Sequence, residues 1–161
     1  MTKNLYILRH IPGSGATTMA DALVALAPDK MVRLEADDYF IKNGVYQYDA
    51  AFITKAHEHC KQCFLRAMSR GLDIIISNTS VKTWEWSEYK TLAEKEGYMV
   101  HVLVKENHHD GMTVHDVPMT TIMRMKRNFE VNLIGKKLFT SRNYVTTTQP
   151  TDKGQNRLGY E

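Results

Sequence analysis

Four stretches of the chain stand out as apolar: "NLYILR" at 4–9, "MVRLE" at 31–35, "LDIIIS" at 72–77 and "YMVHVLV" at 98–104. Short apolar runs bounded by turn formers read as strands, and "IIIS" and "VHVLV" leave no alternate polar positions for a wet face. The segments between them carry a helical period. Strands that alternate with helices, and that are buried on both sides, predict an α/β fold with a parallel sheet flanked by helices.

The first helix is expected over about 15–27, stacking Met19, Leu23 and Leu26 and ending at Pro28. A second spans about 49–70 and stops at Gly71, and a third spans about 83–97, with Gly97 at its end; both glycines suit a left-handed C-terminal cap. A fourth begins at Pro118, a favoured first-turn residue. It turns Ile122, Met125 and Phe129 inward and leaves Arg124 and Arg127 together on another face. Periodicity fades beyond about 134. The expected organisation is a single domain over 1–134 and a polar, basic tail over 135–161, without internal repeats.

Composition narrows this picture. A chain of 161 residues with 43% hydrophobic content suits one domain with a real core. No run of 18 apolar residues occurs and the N-terminus lacks the phases of a secretory signal, so a cytoplasmic protein without a membrane partner is expected. The formal net charge of +3 is matched by residues 131–161, where Lys136, Lys137, Arg142, Lys153 and Arg157 face only Asp152 and Glu161. That tail reads as solvated charge, with nucleic-acid contact as the alternative. Oligomeric state is not legible.

Cys60 and Cys63 form a C-x-x-C beside His57 and His59. Phe52, Ala56, Cys60, Cys63 and Ala67 also form one apolar stripe of a helix, so core packing is expected, with zinc or redox chemistry as the alternative. His108, His109, Asp110 and His115 crowd one loop and read as solvated, with metal binding as the alternative.

The strongest chemical signal is "HIPGSGATT" at 10–18, between the first strand and the first helix. In a P-loop, G-x-x-x-x-G-K-[ST], the backbone amides of a Gly-rich turn and the helix N-terminus wrap phosphates, lysine adds mobile positive charge, and the hydroxyl binds magnesium. Here Pro12, Gly13, Ser14, Gly15, Thr17 and Thr18 fit an anion cradle. His10 replaces the first glycine and Ala16 replaces the lysine.

Taken together, "LRHIPGSGATT", "EADDYFIKNGVYQYD", "AHEHCKQCFLRAMSRGLDIIISNTSVKTWEWSEYKTLAEKEGY" and "VHDVPMTTIMRMKRNFE" resemble the small P-loop kinases related to polynucleotide kinase, including the polynucleotide-kinase-like AAA-type ATPases. The resemblance covers roughly residues 4–130. It implies a P-loop kinase-like fold with a helical lid, ATP or GTP with Mg2+ as cofactors, and phosphoryl transfer to a hydroxyl on a nucleic acid or nucleotide.

It also implies roles for residues. Asp37 matches the general base and Asp38 stands beside it; Arg124 and Arg127 match the lid. Residues 12–18 hold the nucleotide, with Thr17 as magnesium ligand, and Asp38, Tyr39, Asn78 and Thr79 line the acceptor side. Three departures matter. Phe40 stands where relatives carry an acceptor-binding arginine; Tyr39 or Phe40 either stacks on a base or packs. Ser77, Asn78, Thr79 and Ser80 replace an acidic-amide-hydroxyl run, so the acid that organises metal or acceptor is missing.

The third departure is Ala16. One lost electrostatic donor costs about 3–4 kcal/mol, or several hundredfold in rate, so weak or absent activity is expected. Three readings fit it: a degenerate kinase that binds without turnover, charge supplied from elsewhere such as the lid arginines, or a substitution that traps a substrate complex. A non-catalytic module that holds a nucleotide or nucleic-acid phosphate on the same loop is the alternative function.

Overall fold

The computed structural model describes residues 2–108 and 117–131. Strands β1 (Asn4–His10), β2 (Met31–Leu34), β5 (Asp73–Ile76) and β6 (Met99–Lys105) form one sheet in the order β2-β5-β1-β6, and all of its pairings are parallel. Helices α1 (Ala16–Ala25), α2 (Ile53–Ser69), α3 (Trp84–Lys95) and α4 (Met119–Asn128) connect or follow these strands. A 3-10 turn at Ala36–Phe40 and a small hairpin, β3 (Ile41–Lys42) with β4 (Val45–Tyr46), lie between β2 and α2.

The four sequence-predicted strands all form, and the central two are sealed on both faces. Leu5, Ile7, Ile74 and Ile76 pack with Phe64, Ala67 and Met68 of α2 and with Tyr89 and Ala93 of α3. On the other face Leu8 and Ile75 pack with Ala16 and Ala20 of α1. This alternation gives three layers, helix over sheet over helix. A third cluster, Ala36, Phe40, Ala56 and Cys60, seats the 3-10 turn against α2.

Gly71 and Gly97 close α2 and α3 with φ of 69° and 76°, the left-handed conformation expected of them. Other details differ from expectation. The buried face of α1 runs through Ala16 and Ala20, with Leu23 and Val24 beside it, while Met19 and Leu26 are exposed. A helix that rises directly from a loop at the sheet edge approaches the sheet closely, and alanines permit that.

On α2 the buried line runs Ala56, Cys60, Phe64, Ala67 and Met68; Phe52 precedes the helix and is exposed, and Cys63 sits only partly covered. The bulky Phe64 ring takes the seat against the sheet, edge-on to Tyr89 at 5.0 Å, and turns Cys63 aside. Burial pushes the Cys60 thiol up. Strand β6 is not buried on both sides either: Met99, Val102, Leu103 and Val104 are exposed, because β6 is the sheet edge among the described residues.

The hairpin was unforeseen, although Asn43-Gly44 signals a two-residue turn. Both residues are left-handed, at φ of 52° and 78°. The compact unit extends to Glu130; the expected boundary at 134, the tail, and His109, Asp110 and His115 lie outside the described residues. Among the described residues no helix is long and apolar enough to cross a membrane.

Phe64 is fully buried at the contact of α2, α3 and the sheet. Phe64→Ala is expected to lower unfolding free energy by about 3–5 kcal/mol, read from the midpoint of a urea titration.

Candidate phosphate and acceptor site

A parallel sheet brings the C-terminal ends of its strands to one edge, and here three ends carry polar residues to the same place. After β1 the chain runs through His10 to Gly13 and Gly15, both left-handed (φ 83° and 75°), and enters α1 at Ala16. Such a turn aims successive amides inward as an anion-binding nest. Asn107, just beyond β6, donates from its side-chain amide to the Gly13 carbonyl (3.1 Å) and braces the loop.

His10 does not stand in the loop opening. Its ring is buried, with Nε2 3.0 Å from the Ser77 carbonyl and Nδ1 3.1 Å from that of Ile11. Ala16 is 2% exposed and belongs to the core. Ser14 is buried within the loop, whereas Thr17 and Thr18 face outward at the start of α1.

Beyond β2, Glu35 is extended and the chain then tightens into the 36–40 turn. Asn78 fixes this turn: its amide oxygen accepts from the Ala36 N–H (2.8 Å) and its Nδ2 lies 3.9 Å from the Cys60 sulfur. The expected acceptor-side role of Asn78 thus meets a positioning contact already made. Thr79 accepts the His10 N–H at its carbonyl (3.0 Å), which ties the β5 end to the start of the phosphate loop.

An open cleft of about 240 Å³ lies beside Thr17, lined by Arg33, Glu35, Asp37, Asp38, Ile41, Gly44 and Tyr46. The structure therefore brings Thr17, Asp37 and Asp38 together. Burial first, and the Asp37 charge next, push the Tyr46 phenol up to about 12. Tyr39 packs edge-on to Phe40 at 5.5 Å and leans on His59 at 5.7 Å. Phe40, 2% exposed and in contact with Tyr46 and Tyr48, is a packing residue.

Sequence reasoning missed Arg33 and Glu35. Arg33 pairs with Asp21 (2.8 Å), Asp38 (3.0 Å) and Glu35. Burial lowers its guanidinium, and Asp38, Glu35 and Asp21 together outweigh that and raise it. Both Glu35 carboxylate oxygens lie 3.3 Å from the Thr17 hydroxyl. Burial above all pushes the Glu35 carboxyl up to about 7, against the pull of Arg33. The signal available was polar alternation within "MVRLE", since Arg33 and Glu35 share a face of a strand otherwise committed to the interior.

Arg9 is a second unforeseen element. It is 3% exposed, donates to the carbonyls of Ser80 (2.7 Å) and Val81 (2.9 Å), and lies against the rings of Trp86 and Phe129. Burial lowers its guanidinium, opposed by Glu130 and Glu85. Glu130 accepts the Thr83 N–H (2.8 Å) and donates its own amide to Val81 (3.0 Å), so the end of α4 is fastened to the start of α3. Arg124 and Arg127 are exposed on α4 and pair with no acid among the described residues. The inward set Ile122, Met125 and Phe129 is half-buried. No three His, Cys, Asp or Glu side chains converge on a metal position among the described residues.

A Gly-rich nest at the end of the central strand, a helix rising from it and a carboxylate-lined cleft beside it define a phosphate-loop fold. The model of the AAA domain family AAA_33, a P-loop kinase-like family, matches residues 5–109. This chain belongs to that family. It is 38% identical over 100 residues to NEDD4-binding protein 2 of Homo sapiens, a match over 60% of this chain and 5% of that protein. The chain therefore spans only a small part of that curated relative's length.

Solved structures agree on the fold. APS kinase CysC of Mycobacterium tuberculosis superposes with a TM-score of 0.52 at 9% identity, over 79% of this chain and 96% of that one. A gluconokinase of Sinorhizobium meliloti gives 0.50 at 11%, over 80% and 75%. A chain of the Pnkp1/Rnl/Hen1 complex gives 0.50 at 17%, over 96% and 44%. The architecture is that of P-loop kinases.

Asn78→Ala removes the acceptor for the Ala36 amide at the root of the 36–40 turn. A loss of about 1–3 kcal/mol is expected, checked by thermal unfolding together with faster hydrogen exchange at Ala36.

Proposed function

We propose that the chain is a kinase-like phosphotransferase domain that binds ATP or GTP with magnesium and positions a hydroxyl of a nucleic acid or nucleotide, with turnover weakened by Ala16. The observation that carries this reading is the shared cleft: Asp37 and Thr17 line one cavity at the foot of a phosphate nest. The resemblance of the motif order to the small kinases related to polynucleotide kinase favours a nucleic-acid acceptor.

In this reading the amides of residues 13–18 hold the phosphates, aided by the positive end of α1. Thr17, a hard oxygen donor beside a carboxylate, suits magnesium. Bound there, the ion would neutralise charge on the transferring phosphate. Asp37 takes the proton as the acceptor hydroxyl attacks, with Tyr46 lining the cleft beside it. Asp38, tied to Arg33, shapes the acceptor side with Tyr39, Asn78 and Thr79. Arg124 and Arg127, exposed cations of α4, act as the lid that replaces water around the phosphate.

One observation favours the second reading, a non-catalytic phosphate-binding module: Ala16 is filled into the core, and among the lining residues of the cleft Arg33 is the sole cation and is engaged by three carboxylates. Two experiments separate the readings. Asp37→Asn is expected to abolish residual transfer to 5′-hydroxyl oligonucleotides while ATP affinity stays within a few-fold; an equal loss of ATP binding reassigns Asp37 to metal or structure.

Ala16→Lys is expected to raise transfer at least about a hundredfold, measured with radiolabelled ATP. Its stem must leave the core through the loop for the ammonium to meet phosphate. Tighter ATP binding without transfer to DNA, RNA or nucleoside acceptors selects the binding module. A lowered melting temperature with no gain in ATP affinity means that the ammonium stays buried and the loop is not a lysine-competent cradle.

A further inference from the structure

We propose that Glu35 is the carboxylate that, together with the Thr17 hydroxyl, holds the divalent cation accompanying the nucleotide. The proposal rests on the nucleotide-binding reading above and names the cation site within it.

Three independent observations converge. The first is contact: both Glu35 carboxylate oxygens lie 3.3 Å from Thr17 Oγ1, at the first turn of α1 where the phosphate nest ends. The second is register. Leu34 pairs with Ile76 across the β2–β5 ladder and accepts the Ser77 N–H at 3.1 Å, so Glu35 and Ser77 are the next neighbours along the edge. Alternation sends them to the face of Arg33 and Ile75, which meet Asp21 and the alanines of α1 respectively. The Ser77 hydroxyl is fully buried there and lacks a hydrogen-bond partner. A hydroxyl in that state waits for a polar occupant such as a cation's bound water.

The third is charge. Asp21, Glu35 and Asp38 surround the single guanidinium of Arg33, and Asp37 lines the same cleft beside them. Arg33 keeps Asp21 at 2.8 Å and Asp38 at 3.0 Å without Glu35, so neutralising that arginine does not account for Glu35. The excess negative charge beside a hydroxyl calls for a hard cation. Magnesium takes few protein ligands and completes its shell with water and phosphate oxygens, which agrees with the absence of a three-acid cage among the described residues.

The test uses Mn2+ as probe on the full chain, with a non-hydrolysable ATP analogue, following bound metal by electron paramagnetic resonance and analogue affinity by calorimetry. Glu35→Gln is expected to weaken Mn2+ binding to the analogue complex at least about tenfold, with analogue affinity in EDTA within about twofold of the parent. Thr17→Val, at an exposed position and safe for folding, is expected to do the same. Asp21→Asn removes a charge beside Arg33 without reaching Thr17, and its Mn2+ affinity is expected within about twofold of the parent.

Unchanged Mn2+ affinity in Glu35→Gln or in Thr17→Val overturns the proposal while leaving nucleotide binding intact. An equal loss in Asp21→Asn also overturns it, because diffuse charge then explains the effect. If the parent chain binds no analogue with or without Mn2+, the nucleotide reading itself falls.

Discussion

The arrangement of this molecule follows from one constraint: β1 lies between two parallel neighbours and is closed off by helices on both faces. Parallel pairing to β5 and β6 forces every strand to end on the same edge. The Gly-rich loop, the acidic turn after β2 and the polar run after β5 are far apart in sequence, and the pairing alone brings them together. Each strand end then needs a partner for backbone groups that the sheet no longer satisfies. His10 accepts this duty toward Ser77 and Thr79, and Asn78 does so toward Ala36.

Buried polar groups in this edge are thus chiefly joinery. Arg9 is the clearest instance, a permanent charge inside the fold that is tolerated because two carbonyls accept from it and two rings cover it. Through it the phosphate-loop strand, the loop after β5 and the end of α4 share one anchor. The exposed part of α4, with Arg124 and Arg127, therefore extends from a fixed end.

The strands and the existence of α1 to α4 were legible because apolar runs and glycine or proline stops agree with one another at each boundary. Helix faces were less legible. Met19 and Leu26 are larger and more apolar than Ala16 and Ala20, yet close approach of α1 to the sheet rewards small residues. Cys63 was misplaced for a related reason, since Phe64 one position later owns the larger pocket. "VHVLV" reads as interior although β6 is the sheet edge among the described residues, and no local pattern reveals how many neighbours a strand has.

The cleft was half legible. Thr17, Asp37 and Asp38 belong to recognisable runs and do meet, whereas Arg33 and Glu35 acquire meaning only through pairing with α1 and with β5. The 41–46 hairpin completes the cleft and adds a separate point. It forms its own two-stranded sheet, turned by Asn43 and Gly44, where a side chain added at Gly44 would meet open space but face a strained backbone. Its ladder is independent of the main one, so a change in its length leaves the strand pairings that carry the phosphate loop intact. One wall of the cleft is thus built apart from the strand edge it faces, and its dimensions are set by a turn that takes no part in the main ladder.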